Sequence, residues 1–339
     1  MSAPEDRERL TTERDLLLRR VYADAASKAI QDLRRLEQDI VSLVRKSDPV
    51  EPARLGDRLN RIAKLESQVR DVARATYRGI NSRLISLQAD LMVDEAQATA
   101  ETMRVTGLQA RAVVTAATAA AVVQKGELLV EGAPASRHLA RHRSSLVDGV
   151  TATLRTQART ENATLTKAVR ALRGDRDLGF SNGLMRTYEN HASTVVDTGM
   201  QAATNTARAT VYAASSSTTM VQAINPLDSK TSDICKARAG RVWSTKTGQP
   251  LGHGTESFPG PPPWHPNCRT TLIPLAASDT PVRGQTFGGL LDSLPEDRQE
   301  ELLGPGRYDL WRRNKISMGD LINQAGRPLN LSQLRQRSA

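Results

Sequence analysis

Cys235, His265 and Cys268 are the residues of this chain whose types and spacing suit soft-metal chemistry. His265 and Cys268 stand in an H-x2-C arrangement inside Pro261-Pro-Pro-Trp-His-Pro-Asn-Cys268. One rigid turn there presents an imidazole and a thiol, and a tetrahedral zinc ion needs four such ligands. Cys235 lies before a strand-like run, Arg241-Val-Trp-Ser-Thr245, and would approach the other two if that run paired with Thr270-Thr-Leu-Ile-Pro274. His253, Asp228 and Asp233 are available as a fourth ligand, and spacing selects none of them. The same residues fit two other readings. They form two packed thiols beside a hydrogen-bonded histidine, or a Cys235–Cys268 disulfide, which a reducing compartment disfavours.

Catalytic patterns are missing. The chain has no G-x-x-x-x-G-K-[ST], no H-E-x-x-H and no G-x-S-x-G. The paired H-x-E and P-C-x-x-C of zinc deaminases are also absent. A Cys–His nucleophile pair lacks a recognisable orienting group. His253-Gly-Thr-Glu256 offers one histidine on a Gly/Pro loop, a weak nuclease-like fragment. The expectation is a protein that is not an enzyme. A basic run at Arg137, His138, Arg141, His142 and Arg143 reads as a solvated helix face or as a nucleic-acid contact carried by Arg137, Arg141 and Arg143.

The elements that must position these residues divide by composition. Aromatics make up only 3% of the 339 residues, and before Phe180 only Tyr22 and Tyr77 occur. Large buried rings therefore serve the second half. The first half uses aliphatic stripes instead. Leu18, Tyr22, Ala25, Ala29, Leu33, Leu36, Ile40 and Leu43 recur every three or four residues in a stretch free of Gly and Pro. A second stripe runs through Leu55, Leu59, Ile62, Leu65, Val69 and Val72 to Ile80, Leu84, Leu87 and Leu91. The Pro49–Pro52 segment separates them, so the spacing predicts an antiparallel helical hairpin. A 37-residue helix would extend about 55 Å. Residues 107–124, rich in Ala, Val and Thr, read as a buried or interface helix. Further helices are expected over 136–172 and 184–214. After Ser215 the pattern changes to short strands around a loop at 248–267 rich in Gly and Pro. Ser293-Leu-Pro-Glu296 reads as a capping box, and Ser317-Met-Gly-Asp320 as a weaker helix start.

The net charge is +10, from 47 basic and 37 acidic side chains, with the excess in the middle and at the C-terminal end. This suits sequence-independent contact with phosphates, and equally an ordinary mixed-charge surface. No signal peptide and no membrane span is evident, so a protein made in a reducing cytoplasm is expected.

One long motif resembles a known family. Asp228, Thr231, Cys235, Gly240, Val242 and Trp243, then Pro262, Pro263, His265, Pro266, Asn267, Cys268 and Arg269, resemble the signature region of phage Mu F-like minor head proteins. The run Leu302-Leu-Gly-Pro-Gly-Arg307, Leu310-Trp-Arg312, Lys315-Ile-Ser317 is similar to the segment that often follows it, and Gly326-Arg-Pro-Leu329 to its ending. The similarity covers about residues 184–339. Relatives often carry cysteine where this chain has Ser232 and Thr270, and Asp-Gly where it has Ala239-Gly240. The resemblance implies a structural role. Such proteins are present in several copies at the portal vertex inside the head, and contact the portal protein, capsid or scaffolding proteins and packaged double-stranded DNA. They serve head morphogenesis, DNA packaging or ejection. A non-specific DNA-compaction protein and a toxin-like enzyme carrying a head-morphogenesis module are the alternatives.

The expected fold is mainly α with a small α+β module. Residues 1–105 form a long helical hairpin and 106–214 a helical region. Residues 215–280 form the signature module, with a short β-hairpin and the Cys/His/Pro loop, and 281–339 a short-helix tail. Trp243, Trp264 and Trp311 are candidate partner anchors.

Overall fold

A computed structural model describes residues 2–337 except 52–53, 161, 229, 253–255, 284–285 and 324–325. The chain is 65% helical, with a small antiparallel sheet. Helices α1 (Ala3–Ser47), α2 (Leu55–Val105) and α3 (Ala116–Lys125) precede a two-stranded ribbon, β1 (Leu129–Val130) and β2 (Ala133–Pro134). Helices α4 (Ala135–Arg159), α5 (Leu165–Arg173) and α6 (Leu184–Ala213) follow. Next come β3 (Met220–Ile224), α7 (Asp233–Arg238), β4 (Val242–Ser244), β5 (Pro250–Leu251) and β6 (Thr271–Leu275). Four short helices end the chain: α8 (Phe287–Asp292), α9 (Glu296–Leu303), α10 (Pro305–Arg312) and α11 (Leu331–Arg337). No described helix is long and apolar enough to cross a membrane.

Two compact units result, each built from separated stretches of chain: residues 19–88 with 122–200, and residues 1–18 with 89–121 and 201–339. In the first, the aliphatic stripes are buried as their spacing requires. Leu33, Leu36, Ile40 and Val44 of α1 are buried, as are Ile62, Leu65, Val69, Ala73, Tyr77 and Ile80 of α2. The seam moves to Val44 and Ala73, leaving Leu43 and Val72 half-buried, because a straight helix turns every 3.6 residues rather than 3.5. Arg83 pairs with Asp32, and Arg61 donates to the Asp48 carbonyl, which sets the two helices antiparallel. Leu139, Leu146, Val150 and Leu154 of α4 complete this core with Leu172 of α5.

The expected helix over 136–172 is two, because Thr160 leaves the helical region and Thr164 caps α5 by accepting from the Lys167 amide. The segment 107–115 is not helical, and half of α3 is exposed, with Ala119 and Val123 its buried residues. Small side chains there supply helix propensity rather than burial. Residues 129–134, between the helices expected over 107–124 and 136–172, pair as a ribbon. Its turn residues Glu131 and Gly132 both have positive φ, the conformation that two-residue hairpin turns require.

The second unit holds the sheet, in the order β5-β4-β3-β6 with every pair antiparallel. The two strands expected from sequence, β4 and β6, do not pair with each other. Both flank β3, which bonds Val221 to Trp243 on one side and to Pro274 on the other. Pro274 is tolerated because β6 is an edge strand. The α6 residues of this unit cover β6: Tyr212 donates to the Leu272 carbonyl at 3.0 Å, and Gln201 to that of Thr270 at 3.3 Å. Beside them lies a buried ionic network in which Arg208 meets Glu95 at 2.6 Å and Asp15 at 2.7 Å, and Arg14 meets Glu95 at 2.9 Å.

The tail folds back on its own chain. Leu310, Ile316, Leu321, Ile322, Leu329 and Leu334 bury against Ala237 of α7. The two helix starts also exchange roles. Ser293 closes α8 by bonding the Leu290 carbonyl, while Ser317 and Asp320 form the reciprocal capping box. At 293 the intervening Pro295 becomes the cap itself, which puts Glu296 at the first helical position and not at the third, where a capping box needs it.

Candidate metal centre

Three local structures bring the expected ligands together. The first is the approach to α7. Ser232 caps this helix by accepting from the Cys235 amide at 3.3 Å, which puts Cys235 in the first helical turn. The second is the turn His265-Pro-Asn-Cys268, closed by the Cys268 amide on the His265 carbonyl at 3.2 Å, with Asn267 at φ 56°. Asparagine tolerates that left-handed conformation better than most residues. The third is a staple between the two. Arg269 grips Asp228 with both guanidinium nitrogens, at 2.7 and 2.5 Å. Asp228 in turn accepts from the Lys230 amide, and Thr231 donates to the Pro226 carbonyl. The Arg269 fork holds the Asp228 carboxyl down at about 2, with the backbone bond from Lys230 helping against burial.

The result is a compact donor set. The Cys235 sulfur lies 2.9 Å from His265 Nε2 and 3.7 Å from the Cys268 sulfur, and the three ligand atoms lie within 4.8 Å of one another. Both thiols are free and buried. His265 Nδ1 sits 2.7 Å from the Pro266 carbonyl, which can only accept. Nδ1 therefore carries the proton, and Nε2 turns its lone pair inward, the arrangement metal-binding histidines use. Ser232 Oγ lies 2.7 Å from the same Nε2, and Thr270 Oγ1 donates to the Cys235 sulfur at 3.1 Å. The hydrogen bond with Cys268 and burial push the Cys235 thiol up. Burial works against the Cys268 thiolate too, but the bond with Cys235 and the adjoining His265 bring its pKa well down.

These residues fit a zinc-sized ion in part. Tetrahedral Zn–S bonds of about 2.3 Å place two sulfurs about 3.8 Å apart, close to the spacing here, and a sulfur and an imidazole nitrogen about 3.6 Å apart. The imidazole would have to withdraw by roughly 0.7 Å to admit the ion. Asp228 and Asp233 are not the missing ligand, since Arg269 holds one and Arg307 holds the other at 2.7 Å. His253 lies outside the described residues. The hydroxyls of Ser232 and Thr270 are the polar groups nearest the set, and both stand where the resembling family often has cysteine.

A second layer fixes the proline-rich loop. Glu256 receives Arg238, at 3.0 Å to one oxygen with a shorter contact to the other, and Arg241 at 3.2 Å. Its carbonyl accepts from Trp243 Nε1 at 3.0 Å. Arg238 also lies 4.7 Å over the Trp264 ring, which meets Trp243 edge-on. Trp243 is wholly buried and has no face to offer a partner, so it is core and not an anchor. Trp264 and Trp311 are half-buried. Trp311 lines a cleft of about 680 Å³ with Phe287, Ile316 and Met318. Sequence reasoning missed Glu256 and Arg238, which stand 18 residues apart with only their charge as a signal.

The other candidate residues lie on α4, in the other unit. Arg137 and Arg141 are exposed and Arg143 is half-buried, and none pairs with a carboxylate among the described residues. The two histidines of that run point to structure instead. His138 Nε2 bonds the Val130 carbonyl at 2.9 Å, and His142 Nδ1 bonds the Tyr77 hydroxyl at 2.8 Å. The chain matches no protein-family model, and comparison with curated proteins and with solved structures finds no relative.

Proposed function

We propose that this chain is a phage minor head protein of Mu F-like type, a non-enzymatic component of the portal vertex inside the head. One observation carries the reading. The residues that resemble the family signature are separated by up to 41 positions, yet they bond to one another: Asp228 to Arg269, Cys235 to His265 and Cys268. That these residues bond to one another supports reading them as the framework of one module. The centre is read as structural because its two cysteines are nearly inaccessible, at 3% and 1% exposure. In this reading Cys235, His265 and Cys268 hold a zinc ion, with Ser232 or a water molecule completing the set. The ion would join α7 to the proline-rich loop.

The docking surface for the portal protein is the cleft beside Trp311, formed where the tail folds against α7. Unpaired arginines at 137, 141 and 143 favour a second contact, with packaged double-stranded DNA, and the same feature is what a DNA-compaction protein would show. Mass spectrometry of purified DNA-filled heads tests the role. The chain is expected in a few copies per particle, retained after DNase treatment. Its absence from filled heads would refute the assignment. A folded Trp311→Ala variant that still incorporates normally would remove Trp311 from the docking surface.

A further inference from the structure

The end of α1 and the loop after α5 enclose two adjoining concavities, of about 330 and 570 Å³, that share Arg45 and Arg173. Arg45, Lys46, Arg170, Arg173 and Arg176 line them, all exposed. Three carboxylates are also present. Glu37 is taken by Arg173 at 3.0 Å and Asp175 by Arg170. Asp177 alone opposes Arg45, Lys46 and Arg176, which have no ion pair among the described residues. Charge at this place is thus positive and unsatisfied, whereas Arg9, Lys28 and Arg35 elsewhere on α1 pair with carboxylates three or four residues away.

A sixth residue makes the groove more than a charged surface. Phe180 holds φ 61°, a left-handed conformation that bulky residues avoid. The loop is pinned there by the Phe180 amide on the Asp175 carbonyl at 2.8 Å, and Asn182 brackets Asp175 through its side chain. Phe180 is 38% exposed at the groove, with the Arg173 guanidinium 5.1 Å from its ring centroid. Strain of this kind persists only where the surroundings impose it. An accessible ring among unpaired cations is the combination that binds single-stranded nucleic acid, with phosphates on the cations and a base against the ring.

We propose that this groove binds a single nucleic-acid strand, with Arg45, Lys46 and Arg176 on successive phosphates and Phe180 as a stacking platform. The site is separate from the arginines of α4, and it stands on its own charges whether or not the chain docks at a portal. The test is fluorescence anisotropy with the full chain and a labelled 20-nucleotide DNA strand, across a salt series. The triple variant Arg45→Ala, Lys46→Ala, Arg176→Ala should weaken binding on the order of tenfold and flatten the salt slope by about 2, since each phosphate contact on a single strand contributes about 0.7. Phe180→Ala should weaken binding with the slope unchanged. The variant lacking Arg137, Arg141 and Arg143 should lose less affinity for this strand than the groove variant does. All the substituted side chains are at the surface, so unchanged circular dichroism and unfolding midpoints are expected and serve as the folding control. Unaltered affinity and slope in the first triple variant, or a loss carried by the α4 arginines instead, would overturn the groove. Equal or tighter binding of a duplex, with no effect of Phe180→Ala, would overturn the single-strand assignment.

Discussion

Replacing Glu256 with alanine removes one carboxylate and strands two cations. The side chains of Arg238 and Arg241 are 6% and 11% exposed, and Glu256 is 11% exposed. Burial already disfavours the charged form of Arg241, and Glu256 is the carboxylate that opposes this most. Removing one partner of a buried pair costs about 3–5 kcal/mol, because the remaining charge is left desolvated without compensation. The backbone acceptor for Trp243 survives in the alanine variant, so the effect isolates the carboxylate. All three tryptophans lie in the unit that contains this clamp, which makes intrinsic fluorescence its reporter in a urea titration. The transition should move to clearly lower urea. Glu301→Ala, which breaks the exposed pair with Arg298, should shift it by well under ~1 kcal/mol. If the two variants unfold at the same midpoint, the clamp does not hold the loop, and its place as support for His265 is wrong.

Three further outcomes follow from the same geometry. Metal-free protein titrated with cobalt(II) should develop thiolate charge-transfer absorption that Cys235→Ser or Cys268→Ser abolishes, while Ser232→Cys tightens retention; no absorption in the unaltered chain would exclude a metal role. Burial, then the nearby His191, holds His142 down to about 4, below the ordinary 6.5, while Tyr77 and Tyr188 pack around it. The unfolded chain therefore takes up this proton first. The stability due to neutral His142 is complete above pH 6.5 and is lost as pH falls toward 4, by about 2–3 kcal/mol. His142→Gln should flatten that part of a pH-dependent unfolding series, and an unchanged slope would refute the assignment. Glu95→Ala should cost about 3–5 kcal/mol by leaving Arg208 with Asp15 alone, read by thermal unfolding, and a loss under ~1 kcal/mol would refute the network.

The sequence displays what is periodic and local. The stripes of α1 and α2 are legible because burial on one helical face forces apolar residues to recur every three or four positions. The donor set is legible for a different reason: cysteine and histidine are scarce here, so His265 and Cys268 in a proline-rich turn stand out, with Cys235 the one other cysteine. The third strand of the sheet was hidden. Met220-Val-Gln-Ala-Ile224 is short and central, buried over most of its length, and shows no alternation from which to infer it. Its position between β4 and β6 depends on partners that arrive later in the chain. Glu256 and the Arg208 network were hidden for the same reason, since an ion pair across many residues leaves no spacing to recognise. At Ser293 a local rule gave the wrong helix start because the proline between its two members had already capped the helix.

The interleaved make-up of the two units also bears on how the functional claim is tested. Residues 1–18, 89–121 and 201–339 form one unit, so a truncation at residue 184 or 214 would cut through it or strip away part of it. The direct measurement is therefore co-expression of the full chain with the portal protein from the same genome, followed by affinity purification through the portal. The account predicts stable co-purification that survives nuclease treatment and is lost with Trp311→Ala or Cys268→Ser. A full chain that folds, yet fails to associate with the portal under any salt condition, would contradict it.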